Sequence, residues 1–232
     1  SGIVVFLFSR DLFGDRAGLL SLTLFSFNPL FLSSGLLAWT NPFLTFFIVL
    51  NMYLFYKMLK NYSRRLFAFF AVTFGLAVAA KFNAVLLLPV YLFVSAVIYF
   101  RRIKGFTLLG LQPQQLKIKK FIVMSAIFFV ISFFVLWATY FFQFTTLADS
   151  APPKYILFFE DTIATKFPSA ASPIVNHLVY SQSLPFPTFF SGIGWQLFSS
   201  TQSVKISFFF GEAETGHNPL FFPVVMLTKT PI

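Results

Sequence analysis

The sequence contains no cysteine, two histidines and only seven acidic residues among 232 positions. Without cysteine there is neither a disulfide framework nor a thiolate metal site, and two histidines supply too few ligands for a His/Cys zinc centre. Nowhere does a strand run through a glycine-rich turn into a helix, which sets aside a Rossmann-type nucleotide-sugar enzyme. Charged residues make up 10% of the chain, against roughly a quarter in soluble domains. Internal repeats, heptads, a signal-peptide pattern and an initiator methionine are all missing. The chain opens inside one apolar run and closes inside another, so it is expected to be an interior piece of a longer protein.

What the chain has instead is apolar and aromatic bulk. Hydrophobic residues account for 57% and aromatics for 21%, with 38 Phe and a mean hydropathy of +0.80. Apolar runs of this length with so few charges indicate a multi-span membrane protein. The expected fold class is therefore all-α, a polytopic transmembrane helical bundle followed by an irregular segment outside the membrane.

The apolar runs place a partial span at 1–9 and further spans at about 17–38, 42–56, 66–80, 84–100 and 121–142. Asn28-Pro29 predicts a kink in the 17–38 span and Pro89 one in the 84–100 span, since proline removes a helical hydrogen bond. Thr40-Asn41-Pro42 reads as a helix start. Beyond Gln143 the recurrent prolines exclude long helices, and an extramembrane segment is expected over 144–218. Within it, 188–203 carries Phe189, Phe190, Ile193 and Leu197 at helical spacing, the pattern of an interfacial helix. Residues 219–232 read as the start of another membrane helix. Trp39, Trp137 and Trp195 suit the membrane boundary.

Charge sets the orientation. The turns at 10–16, 57–65 and 101–120 hold twelve of the seventeen Lys and Arg against Asp11 and Asp15 alone, while the opposite side is balanced. The net charge of +10 thus lies on one face, which the positive-inside rule makes cytoplasmic. This distribution excludes a nucleic-acid partner and puts the segment after Gln143 outside the cytoplasm, with membrane lipid as the surrounding medium.

Several short motifs follow one another along most of the chain. These are Arg10-Asp-Leu-Phe-Gly-Asp-Arg-Ala-Gly18, Phe27-Asn-Pro29, Thr40-Asn41, Ala80-Lys81-Phe82-Asn83, Leu136-Trp-Ala-Thr-Tyr140, Leu184-Pro-Phe-Pro187, Phe209-Phe-Gly-Glu212 and Lys229-Thr-Pro231. In order and spacing they resemble the dolichyl-phosphate-mannose–protein mannosyltransferase family and its bacterial relatives, polytopic glycosyltransferases of the GT-C superfamily. One departure stands out: Asn41 is an amide where relatives carry a carboxylate.

The resemblance implies a membrane-embedded hexosyltransferase moving a sugar from a polyprenyl-phosphate donor to a hydroxyl of a protein or glycolipid acceptor. It also implies an extracytoplasmic site in a multi-pass protein of a bacterial plasma (inner) membrane. The lipid-linked sugar is a substrate, so no cofactor is called for; a divalent metal is not excluded. The family's acidic catalytic loop is expected before Ser1, leaving the catalytic base unknown and this piece inactive by itself. Lys81 and Lys229 are the candidates for the donor phosphate, Glu212 and His217 for sugar or acceptor hydroxyls, and Asn41 for a substrate contact. Simpler readings stand beside these. Asn41 serves equally as a helix N-cap, and Lys81 as a cation favoured at a helix C-terminus. A non-enzymatic transporter or lipid-flipping module would also show proline-broken helices and rare charges.

Overall fold

The computed structural model describes residues 1–29, 31–32, 40–103, 118–151, 156–157, 160–161, 173, 176–202, 206–209, 212–215 and 224. The chain divides after Leu136 into two compact units.

The first unit is helical. Helices α1 (Gly2–Phe13) and α2 (Asp15–Ser26) form a hairpin about Gly14. Gly14 takes φ 91°, a left-handed value favouring glycine, and its N–H donates to the Arg10 carbonyl at 2.8 Å. The α2 helix stops short of the kink expected at Pro29. Asn28 instead begins a new turn, its Oδ1 accepting from Phe31 N at 3.3 Å and its carbonyl from Leu32 N at 3.1 Å. Proline suits the first position of such a turn, where its missing N–H costs nothing. The expected 17–38 span is thus broken at Asn28, and its end, 33–38, lies outside the described residues.

Helix α3 (Thr40–Lys60) is followed by α4 (Arg64–Ala80), which Ser63 caps by accepting from Leu66 N at 3.1 Å. A 3-10 stretch, Phe82–Leu86, leads into α5 (Leu87–Ile103). Pro89 falls in the first turn of α5 and coincides with this change of helix type rather than with a mid-helix bend. Residues 104–117 of the expected basic loop lie outside the description, after which α6 covers Ile118–Thr139.

Helix α4 forms the core of this unit: Phe70, Ala71, Phe74 and Ala77 are buried along it. Its small residues let α6 approach closely, as between membrane helices generally. A Cβ on Gly75 would meet the Ser132 carbonyl oxygen at 2.8 Å, and Ser132 Oγ donates to the Ala71 carbonyl at 3.0 Å. By contrast α5 and α6 expose Leu92, Phe93, Ile122, Val123, Phe129 and Val130. Apolar outward faces around an internally hydrogen-bonded bundle fit lipid as the surrounding solvent. Among the described residues two stretches, Asn41–Lys60 and Ile122–Thr139, are long and apolar enough to cross a bilayer.

In the second unit the chain leaves α6 through Phe141 and Phe142, at φ 51° and 54°, and enters β1 (Phe144–Thr145). A short helix α7 (Leu147–Ser150) and a π-helical turn (Asn176–Ser181) come next. Strand β2 (Leu184–Pro185) pairs antiparallel with β1. A helix is present where one was expected at 188–203, as α8 (Pro187–Gln202), its N-terminal end packed on Tyr140 through Phe186 and Phe189. The 144–218 segment also contains an unexpected hairpin of β3 (Ile206–Phe209) and β4 (Glu212–Thr215).

Candidate functional site

Two of the sequence candidates meet within the first unit. Lys81 terminates α4 with an extended backbone at φ −164°, and its N–H still donates to the Ala77 carbonyl at 3.1 Å. From there its Nζ reaches across to Asn41 Oδ1 at 3.4 Å. Helix α3 already begins at Thr40, so Asn41 lies inside the first turn rather than at the cap. Both side chains are half-buried. The C-terminal cation reading and the binding reading of Lys81 are thus compatible: the residue caps α4 while its amine engages the neighbouring helix.

The pair lies at one end of α3 and α4, and Lys57, Lys60, Arg64 and Arg65 lie at the other. The 21 residues of α3 rise about 30 Å at ~1.5 Å each, close to the thickness of a bilayer core. Asn41 and Lys81 therefore sit one membrane thickness from the basic turn. Among the described residues, ion pairs join Asp11 to Arg10 and Lys57, and no carboxylate approaches Lys81 within 4.0 Å. An amide can accept from an ammonium but cannot neutralise it, which leaves a half-buried positive charge next to a hydrogen-bonding group.

Of the other sequence candidates, Glu212 is the one among the described residues. Glu212 pairs with Phe209 across the β3–β4 hairpin of the second unit. His217 and Lys229 lie outside the described residues, as does nearly all of the expected final segment 219–232.

Sequence reasoning missed Asn51, which is fully buried in the middle of α3. Its Nδ2 donates to the Phe70 carbonyl and to Thr73 Oγ1, both at 2.7 Å, and its Oδ1 accepts from the Tyr91 hydroxyl. The available signal was a lone amide in the apolar run Phe43–Tyr56, where an unsatisfied polar group is costly. Asp11 was also passed over. Its Oδ2 accepts from the Tyr53 hydroxyl at 2.8 Å and pairs with Lys57 at 3.4 Å, while Tyr56 donates to its carbonyl at 3.2 Å. The Tyr53 hydrogen bond, then Lys57 and Arg10, hold the Asp11 carboxyl below the usual range against partial desolvation.

Helices with lipid-facing apolar surfaces and polar groups hydrogen-bonded inside the bundle fit a polytopic membrane protein. A family model for dolichyl-phosphate-mannose-protein mannosyltransferase matches residues 1–148, more than half of the chain. The chain belongs to that family, and with it to the integral-membrane glycosyltransferases that use polyprenyl-phosphate-linked mannose. No curated protein sequence and no solved structure matches it.

Proposed function

We propose that the chain binds a polyprenyl-phosphate sugar at the extracytoplasmic membrane face and takes part in transferring the sugar to an acceptor hydroxyl. In this reading the phosphate of the donor rests on Lys81. The observation that carries it is the 3.4 Å contact between Lys81 Nζ and Asn41 Oδ1, with no carboxylate beside it among the described residues. A cation held by an amide is poised to exchange part of its hydrogen bonding for a phosphate oxygen, and transfer needs such a charge. As the acceptor oxygen forms its bond to the anomeric carbon, the bond to the phosphate oxygen breaks and its electron pair remains on the phosphate. Lys81 then stabilises the negative charge developing there, while a base takes the acceptor's proton; no residue is assigned to that role.

The same reading places the segment after Gln143 outside the cytoplasm of a bacterial plasma membrane and the basic turns inside it. The orientation rests on the charge asymmetry. Glu212 and His217 are proposed contacts for sugar or acceptor hydroxyls, and Lys229 a second contact for the phosphate; a protein or glycolipid supplies the hydroxyl. Lys81→Met tests the central claim, because it keeps the apolar stem and removes the charge. Polyprenyl-phosphate mannose should bind the folded variant on the order of tenfold more weakly, the loss of roughly one charge-assisted hydrogen bond. Affinity equal to the parent's would remove Lys81 from the site.

A further inference from the structure

Asn51 is closed off from any ligand by burial and has no donor left to offer one. Both Nδ2 protons are donated, to the Phe70 carbonyl and Thr73 Oγ1 at 2.7 Å each, and Oδ1 is taken by the Tyr91 hydroxyl. The side chain is completely buried, and Tyr91 is packed beside it between the rings of Phe55 and Phe70, at 4.6 and 5.2 Å. One amide therefore joins α3, which carries it, to α4 through Phe70 and Thr73 and to α5 through Tyr91. Lys81 lies on the connection between α4 and α5, and Asn41 lies on α3. The Lys81 turn is thus held from both flanking helices against the helix that bears its partner.

The spacing fits this arrangement. From Asn51 back to Asn41 is ten residues along α3, about 15 Å of rise. From Thr73 or Phe70 forward to Lys81 is eight or eleven residues along α4, about 12–17 Å. In two antiparallel helices these distances match, so the register that closes the Asn51 contacts also delivers Lys81 to Asn41. A slip of one turn, about 5.4 Å, would break both sets of contacts. Apolar packing between membrane helices does little to prevent such a slip, because lipid is as good a neighbour as another Leu or Phe. Specific hydrogen bonds do discriminate, and one buried amide setting the register of neighbouring helices has precedent in coiled coils.

We propose that Asn51 is a positioning residue, its three-helix hydrogen-bond node fixing the α3–α4 register that places Lys81 against Asn41. Its functional relevance rests on the reading of Lys81 as the phosphate contact. The test begins with thiol crosslinking in membranes, made clean by the absence of native cysteine. One cysteine pair replaces Asn41 and Lys81. A second replaces Thr45, one turn further along α3, and Lys81. With a short bismaleimide, the 41–81 pair should crosslink on the order of tenfold faster than the 45–81 pair, each interhelical hydrogen bond being worth roughly a factor of three.

Asn51→Leu should bring the two rates together. Thr73→Val, which loses the acceptor but keeps the shape, should shift the ratio the same way, and Thr73→Ser should restore it. Tyr91→Phe should give an intermediate ratio. The two milder variants, Thr73→Val and Tyr91→Phe, keep the test open if Asn51→Leu fails to insert. A folded Asn51→Leu or Thr73→Val protein with the parent's ratio overturns the positioning role. Undecaprenyl phosphate binding, measured on the same substitutions without the cysteines, separates this from the functional reading. If the ratio collapses while affinity persists, Asn51 still sets the register and Lys81 is not the phosphate contact.

Discussion

Replacing Asn41 by Asp supplies the carboxylate that the family resemblance implies here and sets it 3.4 Å from the Lys81 ammonium. At an effective dielectric of about 20, unit charges at that separation attract by about 5 kcal/mol. Desolvation of a half-buried carboxylate offsets most of this, leaving a net stabilisation of ~1 kcal/mol. In a protein of this size that corresponds to a rise of roughly 2–4 °C in melting midpoint. Donor binding should move the other way. The phosphate then has to displace a carboxylate from Lys81 and meets a like charge beside it, so affinity for polyprenyl-phosphate mannose should fall about tenfold, some 1.4 kcal/mol. An acidic residue in the first turn of α3 is also favoured by the helix dipole, by roughly 0.3–1 kcal/mol, and a double-mutant cycle with Lys81→Met separates the two effects. In the Met background the dipole contribution survives and the pairing contribution vanishes. The assays are thermal unfolding in detergent and equilibrium binding of the labelled donor. An Asp variant matching the parent in both, with no coupling to Lys81→Met, would refute the argument that Lys81 is held by an amide so that an anion can take its place.

Other consequences can be checked separately. Gly75→Ala should destabilise the first unit by about 1–3 kcal/mol, because the new methyl meets the Ser132 carbonyl oxygen at 2.8 Å and Val135 Cβ at 2.9 Å; thermal unfolding reads it. Asp11 has a folded pKa below its unfolded value, so its contribution is present above about pH 4 and is lost as pH falls through the lower folded pKa. Asp11→Asn should therefore flatten the acid side of the stability–pH curve and leave its slope near neutral pH unchanged. Single cysteines at Asn61 and Ser183, both exposed, should report opposite faces in intact cells. The first should react only with membrane-permeant thiol reagents and the second with impermeant ones, and the reverse result would invert the proposed orientation.

The helical framework could be read largely from local signals. The apolar run at 66–80 announced α4, which begins two residues earlier, at Arg64. Apolar residues at helical spacing over 188–203 likewise announced α8. The break at Asn28 was visible as Asn-Pro, but whether proline bends a helix or starts a new one depends on whether the preceding side chain caps the turn, as Asn28 does for Phe31. The β3–β4 hairpin escaped because each strand is only four residues long, too short for a two-residue period to stand out, and because Glu212 was weighed as a site residue rather than as part of a strand. The site itself was half legible. Asn41 and Lys81 stand out singly as polar residues at helix ends, yet their meeting depends on the register of α3 against α4. That register is set by Asn51, Phe70, Thr73 and Tyr91, up to forty residues apart in the chain, a separation that no periodicity analysis spans.

The stretch between Lys81 and α5 has a mechanical consequence. Phe82–Leu86 is wound as a 3-10 helix, which rises about 2.0 Å per residue against about 1.5 Å in an α-helix. Rewinding those residues as α-helix would shorten the segment by roughly 2.5 Å with little loss of backbone hydrogen bonding. The stretch is fixed at both ends, at Lys81 by the Ala77 carbonyl of α4 and beyond Leu86 by the Tyr91 hydroxyl on Asn51. A change in its length would therefore be passed to α4 and α5 together, and the 3-10 winding acts as a spacer of set length between the Lys81 turn and the Asn51 node.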